Sequence, residues 1–211
     1  MTPHVSILIP SRGQRALANL ARDAIAAFTE DVSHEMWSLD HAGASGWPYG
    51  SEATGLALTA MLRGAHAFFV QRPSHIFVMH DDALPLRPGW LAYLLSKPGP
   101  VTGVKESEGT KCAHGSGVLY AASFLGPDSL REALPQRDAG EWSANWTAES
   151  HPHRQNCLKE ECESQWWGGF DCDLSFDDKG QPWYVHFGGG TLNNRPDRDA
   201  LITAAREALE L

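Results

Sequence analysis

The sequence predicts an α/β protein in which a mainly parallel central sheet is flanked by helices. Short apolar runs at 5–10, 36–39 and 76–79 stop at Pro10, at Asp40 and at His80 with the two acids behind it, which is typical of buried strands. Between them, 16–28 and 52–69 have the residue pattern of helices packed on a sheet. Strands that alternate with helices favour parallel pairing, because each helix returns the chain to the same end of the sheet.

Length and composition predict one globular domain over residues 1–211. The chain is 42% hydrophobic and 20% charged, and it has no clear linker or repeat. No apolar run approaches the roughly 20 residues that cross a bilayer, and the first residues lack a secretory leader, so we expect a cytoplasmic protein without a membrane partner. The net charge of −9 argues against nucleic-acid binding through a broad basic surface.

The first elements follow the alternating pattern. A strand at 5–10 stops at Pro10, and Ser11, Arg12 and Gly13 form a turn. The helix at 16–28 repeats apolar residues at intervals of three and four. A strand near 36–39 then ends at Asp40, a glycine-rich loop covers 41–50, and a second helix covers 52–69.

The most informative stretch is 75–90, which reads HIFVMHDDALPLRPGW. A buried strand at 76–79 ends in His80, Asp81 and Asp82, followed by a loop that contains Pro85 and Pro88. In open α/β sheets, ligands bind at the carboxyl ends of strands, so these acids are placed for a metal or a charged substrate. The alternative is an acidic turn that only caps the next helix.

The second half is predicted more coarsely. A helix at 90–96 precedes a strand at 101–104, and the small residues in 115–124 indicate a strand that something approaches closely. A short helix follows at 128–134, and about 135–165 forms an irregular insertion. Order returns at 166–176, a strand at 184–191 ends in glycines, and a terminal amphipathic helix covers 199–211.

Several motifs, taken in order, resemble the GT-A glycosyltransferases of the large family 2. They are VSILIPSRG, the strand that ends at Asp40, HDD with PLRPGW behind it, GSGVLYAASF, GGFDCDL and HFGGGT. The resemblance covers about 5–191. It implies a single GT-A domain that moves a hexosyl or pentosyl group from a nucleotide-diphosphate sugar, such as a UDP-sugar, to an acceptor hydroxyl, with metal dependence and inversion.

The resemblance also implies a metal site. Asp82 occupies the metal-binding end of a D-x-D-like motif, and His186 is the second ligand. His80 stands where the family has an aspartate; it either hydrogen-bonds the nucleotide, beside Asp81 on the donor side, or binds the metal. Without the resemblance, the sequence favours a structural, hydrogen-bonded role for His186 over a role as a metal ligand. Carboxylates suit Mg2+ or Mn2+, and the imidazole favours Mn2+.

The implied base is Asp171, in a segment that begins a helix in the family. An inverting transfer needs a carboxylate that takes the proton of the acceptor hydroxyl. Asp173 is the alternative base, and either acid would otherwise cap that helix. Trp166 and Trp167 form either a stacking platform for the acceptor or a pair in the core. The remaining donor contacts implied by the resemblance are Pro10, Ser11, Arg12, Asp40 and Arg63.

Other hypotheses stay open. The main alternative is a catalytically inactive module of the same fold that binds a nucleotide sugar; a zinc-dependent hydrolase is a further one. A structural zinc site would use residues from the group Cys112, His114, His151, His153, Cys157 and Cys162. The acceptor is a glycan, a protein, a small molecule or a hydroxylated base of modified DNA, as in some phages. A basic groove for DNA would contain Arg137, Arg154 and Lys159.

Overall fold

The computed structural model describes residues 3–11, 15–40, 73–97, 101–105, 113–122, 163–167, 170–187 and 197–211, and for 101, 104–105, 113–116, 163–167 and 170–171 it describes the backbone alone. The strands are β1 (His4–Ser11), β2 (Ser33–Asp40), β3 (His75–Met79), β4 (Ala83–Pro85), β5 (Val101–Lys105), β6 (Ala113–Ala121), β7 (Glu163–Trp167), β8 (Phe170–Phe176) and β9 (Pro182–His186). The helices in this part of the chain are α1 (Arg15–Phe28), α2 (Trp90–Leu95) and α3 (Arg198–Leu209).

A five-stranded sheet has the order β2-β1-β3-β6-β5. Strand β1 pairs in parallel with β2 and with β3, whereas β6 pairs antiparallel with both β3 and β5. Strands β2, β1, β3 and β5 therefore run in the same direction, and β6 alone opposes them. The predicted α/β class with a mainly parallel central sheet is confirmed. The reversed direction of β6 was not predicted, because apolar alternation carries no information about strand direction.

Most predicted elements that fall in the described residues lie within a few residues of their observed bounds. Helix α1 buries the apolar face that its periodicity indicated, including Leu17, Leu20, Ala21, Ala24 and Ile25. The predicted helices at 52–69 and 128–134 lie outside the described residues. So does the predicted insertion at about 135–165, apart from 163–165, which belong to β7.

A second, four-stranded antiparallel sheet with the order β4-β9-β8-β7 corrects two expectations. Residues 83–85, expected in a loop, form β4; Pro85 is accommodated because β4 is an edge strand, where a missing amide donor costs little. The GGFDCDL segment does not begin a helix, because it continues into β8. The reason lies in its alternation: Cys172 and Leu174 are buried two residues apart, which is the strand period.

The core joins the two sheets. Phe77 of β3 packs edge-to-face on Trp90 of α2, with ring centroids 5.0 Å apart, and also contacts Tyr184 of β9. The Tyr184 ring lies against Gly117 of β6, where an added Cβ would come within 3.0 Å of the ring. The close approach predicted for the 115–124 strand is thus made by a protein side chain.

None of the helices in the described ranges has the length and apolar character needed to span a bilayer.

Candidate functional site

The parallel strands β1, β2 and β3 bring polar residues to one edge of the sheet. Ser11 and Asp40 are paired at the carboxyl ends of β1 and β2. The Ser11 hydroxyl donates a hydrogen bond of 2.9 Å to Asp81 Oδ2, just beyond the end of β3. Asp40 Oδ2 lies 3.5 Å from Arg15 Nε at the start of α1. Ser11, Asp40 and Asp81, all expected on the donor side, therefore lie along the same edge.

Three side chains form a compact cluster beside this edge. Asp82 Oδ1 lies 3.4 Å from His186 Nε2 and 3.8 Å from His80 Nδ1. One ligand atom from each of the three residues falls within 4.8 Å of the others. Asp82 and His186 are buried, whereas His80 is 28% exposed at its side chain. The two residues expected as metal ligands thus meet, and His80 joins them.

Strand register explains why residues so distant in sequence meet. After β3 the chain turns at Asp82 and enters β4, which pairs with β9 so that Ala83 lies opposite His186. The amide of Phe187 donates a 2.9 Å hydrogen bond to the carbonyl of Asp82, which extends this pairing by one step. The site therefore lies where the chain passes from the first sheet to the second.

On its other side, β9 pairs with β8, and Asp173 lies opposite His186. Asp173 Oδ2 is 3.6 Å from His186 Nδ1, while Asp82 approaches Nε2 of the same ring. His186 consequently lies between two carboxylates. Asp173 was expected as the alternative base, as a helix cap or as a structural acid before Leu174, and its contact with His186 was not predicted. The alternation in 170–176, which predicts a strand beside β9, was the signal that could have indicated it.

The charges of the cluster follow from these contacts. Burial acts to lower the pKa of His186, but the carboxylates of Asp173 and Asp82 outweigh it and raise the pKa to about 9. Burial lowers the pKa of His80, which keeps that imidazole neutral. Burial acts to raise the pKa of Asp82, yet His186 and His80 bring it below its ordinary value. Asp82 is therefore a carboxylate and His80 a neutral imidazole, whereas His186 is protonated at neutral pH and would have to lose that proton to bind a metal ion.

The donor set fits a divalent metal ion. Asp82 Oδ1 is buried and accepts no well-aligned hydrogen bond within the described part of the chain, so a cation would satisfy it. Ligand atoms on one metal, about 2.1 Å away, lie about 3.0–3.4 Å apart in octahedral or tetrahedral geometry. The Asp82–His186 separation of 3.4 Å already has that spacing, the Asp82–His80 separation of 3.8 Å is slightly longer, and the three ligand atoms all lie within 4.8 Å of one another.

For most of the remaining candidate residues, the side chain or the whole residue lies outside the described part of the structure. Pro10 lies within buried β1. Trp166 of β7 is paired with Asp171 of β8, and the side chains of both residues, like that of Trp167, lie outside the described part. Arg12 and Arg63 also lie outside it. The same holds for the side chains of every zinc candidate, namely Cys112, His114, His151, His153, Cys157 and Cys162, and for the basic-groove candidates Arg137, Arg154 and Lys159.

Comparison with protein-family models gives no match, and comparison with curated proteins gives none either. Solved structures do match. A mannosyltransferase from Pyrobaculum calidifontis, in complex with GDP-Man and Mn2+, shows 14% identity and a TM-score of 0.41 over 59% of this chain and 46% of the mannosyltransferase. The match thus spans less than half of that enzyme's length.

Two further matches cover more of both proteins. A glycosyltransferase involved in glycosylation of the major capsid of PBCV-1 shows 11% identity and a TM-score of 0.44 over 72% of each chain. The galactosyltransferase LgtC, in complex with donor and acceptor sugar analogs, shows 10% identity and a TM-score of 0.43 over 72% of this chain and 68% of LgtC. At these TM-scores the likeness is a broad one, and the functional conclusion depends on the residues of the site.

Proposed function

We propose that this protein is a metal-dependent glycosyltransferase that moves a sugar from a UDP-sugar to an acceptor hydroxyl with inversion. The observation that carries the proposal is the cluster of His80, Asp82 and His186 at the strand ends that also hold Ser11 and Asp81. Metal ligands and polar side chains at the carboxyl ends of parallel strands are what a nucleoside-diphosphate donor requires.

Each part of the site has a role in this chemistry. A bound divalent cation would neutralise the negative charge that develops on the departing diphosphate. Asp82, His186 and His80 would hold that cation. Asp81, whose carboxylate is fixed by the Ser11 hydroxyl, would accept hydrogen bonds from ribose or sugar hydroxyls, and Asp40 would contact the base.

The proposed general base is Asp171, two residues before Asp173 in β8. Asp173 lies beside His186 Nδ1, and this contact supports a positioning role for Asp173 and leaves the proton transfer to Asp171. Because adjacent residues of a strand alternate between the two faces of a sheet, the acceptor platform would be Trp166, which pairs with Asp171, without Trp167. The acceptor itself would be a hydroxyl compound.

The test is transfer from a panel of UDP- and GDP-sugars in the presence of Mn2+, measured as release of nucleoside diphosphate. We expect Asp82→Asn and Asp171→Asn each to lower turnover by at least about 100-fold. Asp82→Asn should also weaken donor binding that depends on metal, whereas Asp171→Asn should leave it intact. Asp178→Asn is the matched control, because Asp178 is an exposed acid in the β8–β9 turn that pairs with Lys97.

Unchanged turnover in either site variant would contradict the proposal. If the wild-type protein binds a nucleotide sugar tightly but neither hydrolyses nor transfers it, the protein is an inactive binding module. Activity without any nucleotide would indicate a hydrolase.

A further inference from the structure

Strand β2 (Ser33–Asp40) forms one edge of the first sheet. In the described part of the chain it pairs with β1 and with no other strand. Its eight residues are in unbroken register with β1, from Ser33 opposite His4 to Asp40 opposite Ser11. A long, regular edge strand offers a row of backbone amides and carbonyls to which another strand can add.

We propose that β2 is the dimer interface of this protein, where it pairs antiparallel with β2 of a second copy across a two-fold axis at Trp37. The five-stranded sheets of the two copies would then join into one continuous sheet. The inference goes beyond the proposed function and does not rest on it.

Two other edge strands are protected against such pairing, whereas β2 is not. At the opposite edge of the first sheet, β5 has five residues, and its register with β6 shifts between Gly103 and Lys105. In the second sheet, β4 has three residues and contains Pro85. Short strands, register irregularities, lysines and prolines are features that keep edges from pairing. Strand β2, with the sequence SHEMWSLD, has none of them.

Trp37 lies near the middle of this edge. Its side chain is 39% exposed, and among the described residues it is the one exposed large apolar side chain. With a two-fold axis at this position, the Trp37 side chains of the two copies become cross-strand neighbours on the same face of the joined sheet. Aromatic cross-strand pairs are favourable, and Trp is among the residues that contribute most to the stability of interfaces.

The charges of β2 complement each other in this register. Antiparallel pairing about Trp37 places His34 opposite Asp40 of the second copy, and symmetry forms the same pair twice. A carboxylate beside an imidazole favours the protonated form, which donates to it. Glu35 lies opposite Leu39 of the second copy, so no two carboxylates of β2 face each other. Since a carboxylate accepts several hydrogen bonds, this contact is compatible with the role proposed for Asp40 at the donor base.

The experiment measures the oligomeric state of the whole chain. Sedimentation velocity and light scattering are recorded at protein concentrations from about 1 μM to about 100 μM. The wild-type protein is compared with Trp37→Lys and His34→Glu. The matched control is Ala208→Lys, which adds a lysine at an exposed position of α3. Circular dichroism and thermal melting establish that each variant is folded.

We expect the wild-type protein to be a dimer. Trp37→Lys should weaken dimerisation by at least about 100-fold, because it removes the aromatic side chain from both copies and places two lysines at the axis. His34→Glu should weaken it by about tenfold, since it places a second carboxylate opposite Asp40 in each of the two pairs. Ala208→Lys should leave the dissociation constant unchanged.

Oxidative cross-linking tests the register. With the two-fold axis at residue 37, the Cα atoms of that residue in the two copies lie about 4.5–5.5 Å apart, within the span of a disulfide. Those of residue 38 lie about 7–8 Å apart, beyond that span. Oxidation should therefore link Trp37→Cys into a covalent dimer. Ser38→Cys, which keeps the same native cysteines, should stay at the background level of the wild-type protein.

A wild-type protein that stays monomeric over this concentration range would overturn the inference and leave the edge to a strand of another protein. An assembly larger than a dimer would also overturn it, as would a dimer that folded Trp37→Lys leaves intact. Cross-linking of Ser38→Cys in place of Trp37→Cys would refute the two-fold axis at Trp37.

Discussion

Asp173 contacts His186 in a way that would orient its imidazole ring for metal binding. Asp173 Oδ2 lies 3.6 Å from Nδ1 of His186, which presents Nε2 to Asp82. A carboxylate on the outer nitrogen of a ligating histidine fixes the ring and raises its basicity. Asp173 is 46% exposed at its side chain, so its removal should cost little packing.

We therefore expect Asp173→Asn to weaken Mn2+ binding by about tenfold while the melting temperature of the metal-free protein changes little. The measurement is a Mn2+ titration paired with thermal melting, with Asp178→Asn as the control acid from the same hairpin. A variant that keeps its Mn2+ affinity but loses all turnover would instead identify Asp173 as the base.

At the scale of elements, the two sheets are held together where β9 packs on β6. The Tyr184 ring lies against Gly117, and no room is left for a side chain at that position. We predict that Gly117→Ala lowers the free energy of unfolding by about 1–3 kcal/mol, because the added Cβ would lie 3.0 Å from the ring.

Combining Gly117→Ala with Tyr184→Leu tests the cause of that loss. The double variant should lose less free energy of unfolding than the two single variants lose together, since the smaller side chain makes room for the Cβ. Denaturant unfolding of the four proteins measures the coupling. Additive effects would mean that Gly117 is needed for another reason.

Asp177 holds together the turn between β8 and β9. Asp177 Oδ1 accepts hydrogen bonds from the amides of Lys179 and Gln181, and Oδ2 pairs with Arg87 from the segment after β4. Burial acts to raise the pKa of Asp177, but the two amides and Arg87 bring it below its ordinary value. Asp177 thus stabilises the hairpin that positions His186.

A folded-state pKa below the unfolded value means that this stabilisation is present above about pH 4 and is lost as the pH falls through the folded-state pKa. We expect Asp177→Asn to melt at a lower temperature than the wild-type protein at pH 7. The difference between the two melting temperatures should shrink on acidification to about pH 3. A difference that stays constant over this range would show that the charge of Asp177 contributes nothing.

At the scale of the whole molecule, the site joins the two sheets. His80 and Asp82 follow the last residues of β3 in the first sheet, whereas His186 ends β9 in the second. A metal held by all three would link these layers in the folded state, and the unfolded chain would not retain it. Binding should therefore stabilise the fold as a whole.

We predict that Mn2+ raises the melting temperature with the logarithm of its free concentration, which corresponds to a stabilisation of about 2.7 kcal/mol at 100 times the dissociation constant. His186→Gln should abolish the shift, and His75→Gln, at the far end of β3, should keep it. A shift that persists in His186→Gln would place the metal elsewhere.

The alternation of strands and helices, and with it the edge at which the acids lie, could be predicted from the amino-acid sequence alone. Apolar runs that stop at Asp40 and at His80 define strand ends, and parallel strands align those ends. Asp82 and His186 were also named as a pair, although the resemblance of their motifs, and not local pattern, connected them.

The surroundings of these residues could not be predicted from local sequence, because they depend on the tertiary structure. That β4 exists as an edge strand, that GGFDCDL continues into β8, and that Asp173 lies opposite His186 all depend on pairing between distant segments. Strand register is fixed by burial across the whole sheet, since a slip of one residue turns every side chain to the other face. The place of His80 among the candidate ligands likewise follows from this packing and not from its own sequence neighbours.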